Sequence, residues 1–599
     1  MEPQDLTYAL GRSYVTDLNC NTLRAGLKEK VLGMIRARQL DQLATLTSLS
    51  CPALSTQDEW RALMQIEAFF KKNKSFSDES RCRSAALLAF ERGEKLCRIT
   101  NRRLDHYYLQ PDRNDPDLKE WVARVENDVS KTLGPFRTFL DKLPKLVRVT
   151  SGATSTKSRR KSMPHLRLKM PYASPKAIPY LSALTRFFGY EEYKVRSTRA
   201  NRVEFVPKNW KTYRTIACEP EGNVFLQLAC DTYIKRRLRR IGIDLSDQSR
   251  NQALAYIGSK DGRLATLDLS MASDTLAYNT VAWLFPKSWF DFLCAIRSEE
   301  GRGEVSVKYA KFSSMGNGCT FTLETLVFAS CCRAVGSKEY SVYGDDIIIE
   351  TALVPKLLAL LRFFGFVVNT EKSHIDGPFR ESCGANWYSG VDITPVYVRD
   401  IDDRKAMLCH TVNTLAGIAV PGGKLESLLV SLIRDEQLPF VPYNDATTSG
   451  IWVNSPLARK KKLIRHRHKI RGFGTCEHVP KFRGYVPTAP EGRVTSSRAK
   501  FLWYLDTLDR CERPVLPSCW AAPPWWFRQG NTGGKFGPTE VVSRSRYTTS
   551  SHRFRRKWVH WREPAAGVPL HLDWWSEVID SLYRRETKEP TLTTHGRAS

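Results

Sequence analysis

Apolar positions in the first 150 residues recur with the period of a helix. In one run, apolar side chains are spaced at i, i+4, i+8 and i+11, and these residues are Leu23, Leu27, Val31 and Met34. This spacing places them on one face of a helix. Residues 84–96 follow the same pattern. The N-terminal region is therefore predicted to be mainly helical.

The pattern changes between about residues 200 and 400. Short apolar runs, rich in β-branched residues, alternate there with longer helical runs; the strand-like runs are 264–269, 340–343, 347–349 and 366–368. Strands that alternate with helices indicate an α/β or α+β architecture. Helical segments return after residue 400.

The charge balance indicates a class of binding partner, because the chain is strongly basic. It has 92 Lys and Arg against 63 Asp and Glu, a net charge of +29. An excess of this size favours a polyanionic partner, and nucleic acid is the first candidate. A merely basic or ribosome-associated protein is the alternative.

Two segments concentrate these cations. Residues 150–161 have no apolar periodicity and are predicted to be a loop or a mobile basic arm, with a solvated linker as the alternative. Residues 459–471 read RKKKLIRHRHKIR, and within them Lys460, Lys461 and Arg465 are candidates for RNA binding. The last hundred residues combine Trp with Arg, which indicates either base stacking or an irregular core.

The length bounds the organisation of the chain. A chain of 599 residues exceeds one hydrophobic core, so two or three subdomains are expected. No stretch approaches the roughly 18 apolar residues of a membrane-spanning helix. Charged residues also interrupt the first turns, where a secretory signal would be apolar. We therefore expect no membrane segment.

The most specific motif is Tyr343-Gly344-Asp345-Asp346, between the strand-like segments 340–342 and 347–349. Its composition predicts a β-hairpin with Gly-Asp at the turn and two adjacent carboxylates at the tip. Paired negative charges are costly to bury, so the tip is expected to attract cations. An ordinary surface hairpin is the alternative.

A further carboxylate lies in the apolar strand 264–269. Asp268 is hard to explain there as a surface residue, and Ser273 or Asp274 is better placed to cap the following helix. If the two strands are neighbours, Asp268 and Asp345 converge. Carboxylates at strand ends can hold two Mg²⁺ ions about 4 Å apart for in-line phosphoryl transfer, and Mn²⁺ could replace Mg²⁺.

Three further segments carry candidate binding residues. Lys208, Lys211 and Arg214 are spaced at i, i+3 and i+6 and could grip a triphosphate, although a basic surface strand is the alternative. The loop 313–321 has two glycines around an Asn, so Ser314 and Asn317 could bind a ribose, although taken alone it reads as an ordinary loop. The run 234–240 adds a patch for template phosphates that contains Arg236 and Arg237.

In their order, these segments resemble the motifs of palm-domain polymerases. Residues 207–219 resemble motif F, and the segment from Asp268 to Asp274 resembles motif A. The Gly-Asn-Gly loop resembles motif B, and Tyr-Gly-Asp-Asp resembles motif C. Residues 357–372 resemble motif D, and residues 378–384 resemble motif E. The strings GIDLSDQS at 242–249, MGNG at 315–318, FRESCG at 379–384 and GVDITP at 390–395 look like the replicase β subunit of the leviviruses, single-stranded RNA bacteriophages. The resemblance is strong over about 200–400 and weak over 75–105.

The resemblance implies an RNA-directed RNA polymerase with an α+β, right-hand fold. Residues 1–205 would form the N-terminal helical region and part of the fingers, and 206–261 the fingers with the triphosphate motif. Residues 262–400 would form a catalytic palm, an antiparallel sheet flanked by helices. Residues 401–599 would form the thumb and the basic, Trp-rich C-terminal region.

The resemblance also implies roles for the candidate residues. Asp268, Asp345 and Asp346 would hold two Mg²⁺ ions, and Lys372 would act as general acid on pyrophosphate. Contacts with the incoming triphosphate would come from Lys208, Lys211 and Arg214, and recognition of the ribose 2′-hydroxyl from Asp274, Ser314 and Asn317. Many polymerases have the second motif-A Asp five residues after the first, whereas here Ser273 occupies that position and Asp274 is the sixth.

The partners implied by the family are an RNA template and product, ribonucleoside triphosphates, host elongation factors Tu and Ts, and a ribosomal RNA-binding protein. The implied location is the cytoplasm of the infected bacterium. Two alternatives stay open at this point. One is a reverse transcriptase, which also uses a Tyr-x-Asp-Asp hairpin, and the other is a non-catalytic RNA-binding protein on a polymerase-like scaffold.

Overall fold

A computed structural model describes most of the first 453 residues. The described ranges are 2–49, 56–111, 115–148, 152–156, 170–188, 194–398, 401, 403–442 and 446–453, with the backbone of three further strands in 463–470, 473–487 and 554–560. The described residues form two compact units. One is Ser77–Thr394, and the other joins the chain up to Phe76 with the described residues from Pro395 onward. The predicted subdomain boundaries at 205, 261 and 400 stay predictions.

The helices in chain order are α1 Pro3–Asp17, α2 Ala25–Arg36, α3 Leu40–Leu43, α4 Leu46–Leu49, α5 Gln57–Lys71, α6 Glu79–Leu109, α7 Pro116–Leu133, α8 Phe136–Leu146, α9 Ile178–Phe187, α10 Glu221–Arg240, α11 Ser249–Asp261, α12 Ala272–Thr275, α13 Tyr278–Leu284, α14 Lys287–Ala295, α15 Thr320–Ala334, α16 Val354–Phe363, α17 Arg404–Leu415 and α18 Lys424–Asp435. Short 3₁₀ turns lie at Lys74–Phe76, Pro175–Ala177, Thr351–Leu353 and Ala416–Ile418.

The strands in chain order are β1 Tyr172–Ala173, β2 Arg196–Ser197, β3 Ala200–Pro207, β4 Tyr213–Cys218, β5 Leu264–Ser270, β6 Glu300–Gly303, β7 Val307–Lys308, β8 Ser341–Tyr343, β9 Asp346–Glu350, β10 Val367–Val368, β11 Phe379–Ser382, β12 Ala385–Tyr388, β13 Val391–Asp392, β14 Phe440–Pro442, β15 Ile451–Val453, β16 Leu463–Ile470, β17 Phe473–Pro487 and β18 Phe554–His560.

The central sheet of the Ser77–Thr394 unit has the order β10-β5-β9-β8, and each neighbouring pair is antiparallel. Strand β5 is buried along most of its length, as expected of an inner strand with both faces covered. Helix α15 is buried along nearly its whole length and packs against α7, α10 and β8. The mixture of helices with an antiparallel sheet confirms the expected α+β class.

A second sheet in this unit has the order β4-β3-β6-β7. The hairpin of β3 and β4 pairs Pro207 with Tyr213, so residues 208–212 form the connecting loop. This loop carries two of the three cations predicted to bind a triphosphate, and the third, Arg214, lies at the start of β4.

The other unit is mainly helical in its described part. Helix α1 packs against α2, α5 and α18. Both oxygens of the Asp17 carboxylate accept backbone N–H groups at the start of α18, from Lys424 at 2.7 Å and Leu425 at 2.8 Å. A carboxylate here satisfies N–H groups that a helix leaves unpaired.

The predicted elements agree closely with the structure in the N-terminal and central regions. Helix α2 contains three of the four apolar positions of the first helical run, and α6 contains all of 84–96. The predicted strands correspond to β5, β8, β9 and β10. Among the described residues, no helix is long and apolar enough to cross a membrane.

Candidate active site

The three predicted metal-binding residues lie at the same end of the central sheet. Asp268 near the end of β5 lies directly opposite Asp346 at the start of β9. Opposite residues on antiparallel strands project to the same face of a sheet. Tyr343 pairs with Asp346 across the hairpin, which leaves Gly344 and Asp345 as a two-residue turn. The hairpin predicted from the sequence is therefore present, with Asp345 at its tip.

Gly344 allows this hairpin to form. Its φ is +63°, a value that glycine reaches without a steric penalty. A Cβ atom at this position would lie 2.2 Å from a ring carbon of Phe321 in α15. The Gly344 amide also donates a hydrogen bond to the Thr325 hydroxyl, at 3.1 Å. The turn is thus seated directly against α15.

The surroundings of the two hairpin carboxylates disfavour their charged forms. Burial, followed by the neighbouring charges of Asp345 and Glu381, raises the pKa of Asp346 to about 7. Burial also raises the pKa of Asp345, and the charge of Asp268 adds to this. Crowded carboxylates of this kind are stabilised by a cation.

These residues fit a magnesium site in their chemistry. Mg²⁺ prefers oxygen ligands and usually binds one or two protein carboxylates, with waters and substrate phosphates completing its shell. Within the ranges that the structure describes, no three acidic, His or Cys side chains converge closely enough to form a cage made by protein alone.

Asp268 is held in place by the segment that follows β10. Val368 of β10 pairs with Leu269, which brings Asn369 beside Asp268. The Asn369 amide donates to the Asp268 carboxylate at 2.8 Å, and the Lys372 amine lies 3.7 Å from the same oxygen. The backbone N–H of Asp268 donates to the Ser373 hydroxyl at 3.0 Å. Lys372 is therefore next to the carboxylates, as its predicted role requires.

The β3–β4 hairpin brings cations to the same place. Burial lowers the pKa of the Lys208 amine, and the positive charges of Arg214 and Lys372 lower it further, while Asp268 and Asp345 act in the opposite direction. Lys208 therefore lies within electrostatic reach of the carboxylates. Lys211 is exposed on the loop, where its backbone N–H donates to Asn209.

The Gly-Asn-Gly loop is docked on β4. The Ala217 backbone N–H donates to the Met315 carbonyl at 2.8 Å, and a Cβ atom on Gly316 would lie 2.3 Å from the Ala217 carbonyl oxygen. The Asn317 side chain accepts the Cys319 backbone N–H at 3.0 Å, and the Ser314 carbonyl accepts the Thr320 hydroxyl at 3.1 Å. The Asn317 side chain and the Ser314 backbone carbonyl thus help to hold the loop itself.

Asp274 is anchored by an ion pair within the protein. The amine of Lys311 is 2.8 Å from one Asp274 carboxylate oxygen and 3.7 Å from Glu94. The Lys311 side chain is 1% exposed, so this pair is shielded from solvent. The position of the Asp274 carboxylate is therefore set by two residues that sequence reasoning did not identify.

Comparison with known proteins identifies the family of this chain. The family model described as RNA replicase, beta-chain matches residues 43–435. The chain belongs to this family. The RNA-directed RNA polymerase subunit beta of Escherichia virus Qbeta is 35% identical over 478 residues, 76% of this chain and 77% of the relative. That of Enterobacteria phage SP is 41% identical over 332 residues, 53% of this chain and 57% of the relative.

Similarity to more distant structures is weak. The solved BmCPV RNA-dependent RNA polymerase at elongation state shares 12% sequence identity with this chain, with a TM-score of 0.37 over 61% of this chain and 37% of that one. An overlap this loose carries no argument. The levivirus resemblance read from the motifs is confirmed by the family model and the phage relatives.

One buried carboxyl group of this replicase β-chain family member was not identified from the sequence. Glu324 in α15 is 2% exposed. Burial raises its pKa to about 8, the charges of Asp345 and Asp274 act in the same direction, and a hydrogen bond with Ser273 opposes them. A Glu inside an apolar helical run was the signal that could have identified it, because charged residues are rarely buried without a reason.

The predicted RNA-binding residues fall into three groups. Arg236 is exposed on α10. Arg237 instead donates to the Thr132 and Lys131 carbonyls at the end of α7, at 2.5 and 3.0 Å, which gives it a structural contact. Lys460 and Lys461 lie outside the described residues, and Arg465 lies on β16, whose side chains are not described.

Proposed function

We propose that the chain is an RNA-directed RNA polymerase that extends RNA on a single-stranded phage RNA template, using ribonucleoside triphosphates. The observation that carries the proposal is the register of β5 and β9, which sets Asp268 opposite Asp346 beside the Asp345 turn. Family membership supports the same reaction, since the phage relatives are named RNA-directed RNA polymerases.

In the proposed reaction, the 3′-hydroxyl oxygen of the growing strand bonds to the α-phosphorus of the incoming nucleotide. The bond from that phosphorus to pyrophosphate breaks, and the proton of the attacking hydroxyl passes to solvent water. Asp268, Asp345 and Asp346 would hold two Mg²⁺ ions, or Mn²⁺. When bound, these ions would lower the pKa of the attacking hydroxyl and offset the charge of the leaving pyrophosphate.

The neighbouring cations complete the assignment. Lys208 and Arg214 bind the triphosphate. The charges of Asp268 and Asp345 act on the Lys208 amine, which supports a position of Lys208 beside the metal-binding residues. Lys211, on the same loop, is also assigned a contact with the triphosphate. Lys372 donates a proton to pyrophosphate, which its 3.7 Å approach to Asp268 supports.

Sugar recognition is assigned to the segment around Asp274. Asp274, Ser314 and Asn317 would recognise the 2′-hydroxyl, which separates ribonucleotides from deoxyribonucleotides. The proposal includes a right-hand arrangement of fingers, palm and thumb. It also includes action in the cytoplasm of the infected bacterium, with elongation factors Tu and Ts and a ribosomal RNA-binding protein as host partners.

The first test is RNA-templated incorporation of labelled ribonucleotides by the full chain, with and without bacterial extract. Wild type should make complementary RNA, and Asp346→Asn should lose at least about 10³-fold in rate because one metal carboxylate is removed. Asp117→Asn, at an exposed position on α7, is the matched control and should retain full activity. Full activity in Asp346→Asn would refute the proposal.

A competition assay separates the polymerase from a reverse transcriptase. Ribonucleotides and deoxyribonucleotides are supplied together on the same RNA template. The proposal requires a strong preference for ribonucleotides, and a preference for deoxyribonucleotides would overturn it. Salt-sensitive RNA binding with no incorporation under any condition would instead indicate a non-catalytic RNA-binding protein.

A further inference from the structure

A second concave site lies in the Ser77–Thr394 unit. It is a cavity of about 400 Å³, and its wall includes Lys176, Tyr278, Arg297, Glu299, Lys308 and Tyr309. None of the carboxylates or cations assigned to catalysis lines it. Its volume is within the range of pockets that bind small organic ligands, roughly 300–1,000 Å³.

The charges in the wall favour an anion. Three cations, Lys176, Arg297 and Lys308, face one acid, Glu299. Glu299 is already paired with Lys176, at 3.2 Å. Among the described residues, Arg297 and Lys308 form no direct ion pair with this acid, although the charge of Glu299 acts on Arg297 through space.

Arg297 is the decisive residue. It is 4% exposed, and its Nε and Nη1 groups have no hydrogen-bond partner among the residues that the structure describes. The guanidinium instead lies near the rings of Tyr278 and Phe312, at 5.3 and 5.1 Å from their centroids. A guanidinium stays charged in proteins, and its open N–H groups match the oxygens of a phosphate. Buried donors without a partner are uncommon, and a bound water, ion or ligand is what would complete them.

The backbone on both sides of Arg297 is held firmly. The Gln227 amide donates to the Ile296 carbonyl at 2.7 Å. On the other side, the Ser298 hydroxyl donates to the buried Glu219 carboxylate at 2.8 Å. The charge of Glu219 also attracts the Arg297 guanidinium through space. The guanidinium is therefore preorganised, as a binding site requires.

We propose that this cavity binds a phosphate group carried by a ligand of nucleotide size, with Arg297 and Lys308 as the principal contacts. The phosphate would come either from a free nucleotide or from the backbone of an RNA strand. Ala310 in the cavity wall precedes Lys311, the residue that anchors Asp274. The site is distinct from the catalytic carboxylates, so its test does not depend on the proposed reaction.

The test is equilibrium binding to the full chain in EDTA, at fixed ionic strength, with three probes: inorganic phosphate, AMP and a single-stranded RNA hexamer. Lys308→Ala should weaken binding by about ten-fold because one charge-assisted contact is lost. Lys308→Glu should weaken it further, and Arg297→Lys should do so by removing the planar fork. Arg302→Ala is the matched control, an exposed cation on β6 outside the wall, and should change affinity by less than about two-fold.

The probes distinguish the two sources of the phosphate. Binding of phosphate or AMP that weakens in Lys308→Ala supports a free nucleotide. A loss confined to the RNA hexamer supports a strand backbone. Because Lys308 is exposed, its variants should fold even if Arg297→Lys does not. Equal affinity of wild type and Lys308→Glu for all three probes would overturn the proposal, as would the absence of any wild-type binding.

Discussion

The amine of Lys311, whose side chain is 1% exposed, lies 2.8 Å from the carboxylate of Asp274, whose side chain is 20% exposed. Lys311 also lies 4.2 Å from the centroid of the Phe90 ring and 3.7 Å from Glu94. A cation enclosed by two acids and an aromatic ring fixes the geometry of those acids. Any role of Asp274 in binding the sugar therefore depends on Lys311.

Replacing Lys311 by Met should strongly destabilise the Ser77–Thr394 unit. Removing one partner of a buried ion pair leaves uncompensated charge and costs about 3–5 kcal/mol. Urea unfolding followed by tryptophan fluorescence measures the change. Lys308→Met, an exposed cation three residues earlier, is the control and should have little effect. Equal unfolding midpoints of the two variants would show that the Lys311 ion pair does not stabilise the fold.

Gly344→Ala should displace the catalytic hairpin. The new Cβ would collide with the Phe321 ring, in addition to the strain of a positive φ. Misplacement of reacting groups by about 1 Å costs roughly 10²-fold in rate, so we expect a loss of that order in incorporation. Gly377→Ala is the matched control, because Gly377 has φ +74° but no atom within 4 Å of a new Cβ.

The two glycine variants separate steric collision from backbone strain. Gly377→Ala should cost about 1–2 kcal/mol in stability from strain alone and retain activity. If both variants lost activity to the same extent, collision with Phe321 would not be the cause. A fully active Gly344→Ala would show that the hairpin tolerates a shift away from α15.

Glu324→Gln should change how stability depends on pH. Burial holds the Glu324 pKa at about 8, above its usual value of 4.5, so the folded chain retains a proton that the unfolded chain loses. This contribution to stability is fully present below about pH 4.5 and is lost as pH rises to about 8. Gln cannot ionise, so the variant should gain on the order of 1–4 kcal/mol relative to wild type between these limits.

The measurement is the urea midpoint of wild type and Glu324→Gln at a series of pH values from 4.5 to 8.5. Glu371→Gln, at an exposed position, is the control and should follow the wild-type curve. Parallel curves for wild type and Glu324→Gln would mean that Glu324 titrates normally in the folded chain.

Arg236 and Arg237 are adjacent in sequence but should behave differently. Arg237→Ala removes two donors from the carbonyls at the end of α7 and should destabilise the chain by about 1–3 kcal/mol. The dependence of RNA affinity on salt should stay unchanged. Arg236→Ala should leave stability unaltered and reduce the salt slope by about one. Binding titrations at several salt concentrations distinguish the two variants. A reduced salt slope with unchanged stability in Arg237→Ala would show that Arg237 contacts RNA.

The sequence alone determined the local elements and the chemistry of the central motifs. Apolar runs identified β5 and the hairpin of β8 and β9 because a strand buried on both faces is apolar along its length. The motif Tyr343 to Asp346 predicted the turn, since only a few residue types accept its backbone angles. The resemblance to the family rested on short strings such as FRESCG at 379–384, and the family model confirms it.

Only the tertiary structure decided which side chains meet. The pairing of Asp268 with Asp346 depends on strand register, and the contact of Lys311 with Asp274 and Glu94 joins residues far apart in the chain. Neither contact has a local signal, because each forms only when separate elements pack together. The same is true of Arg237, which the sequence predicted to lie in a basic RNA-binding patch but which donates to the end of α7 in the folded protein. It is also true of Arg297, because nothing in the sequence pattern predicts that this residue is buried beside a cavity.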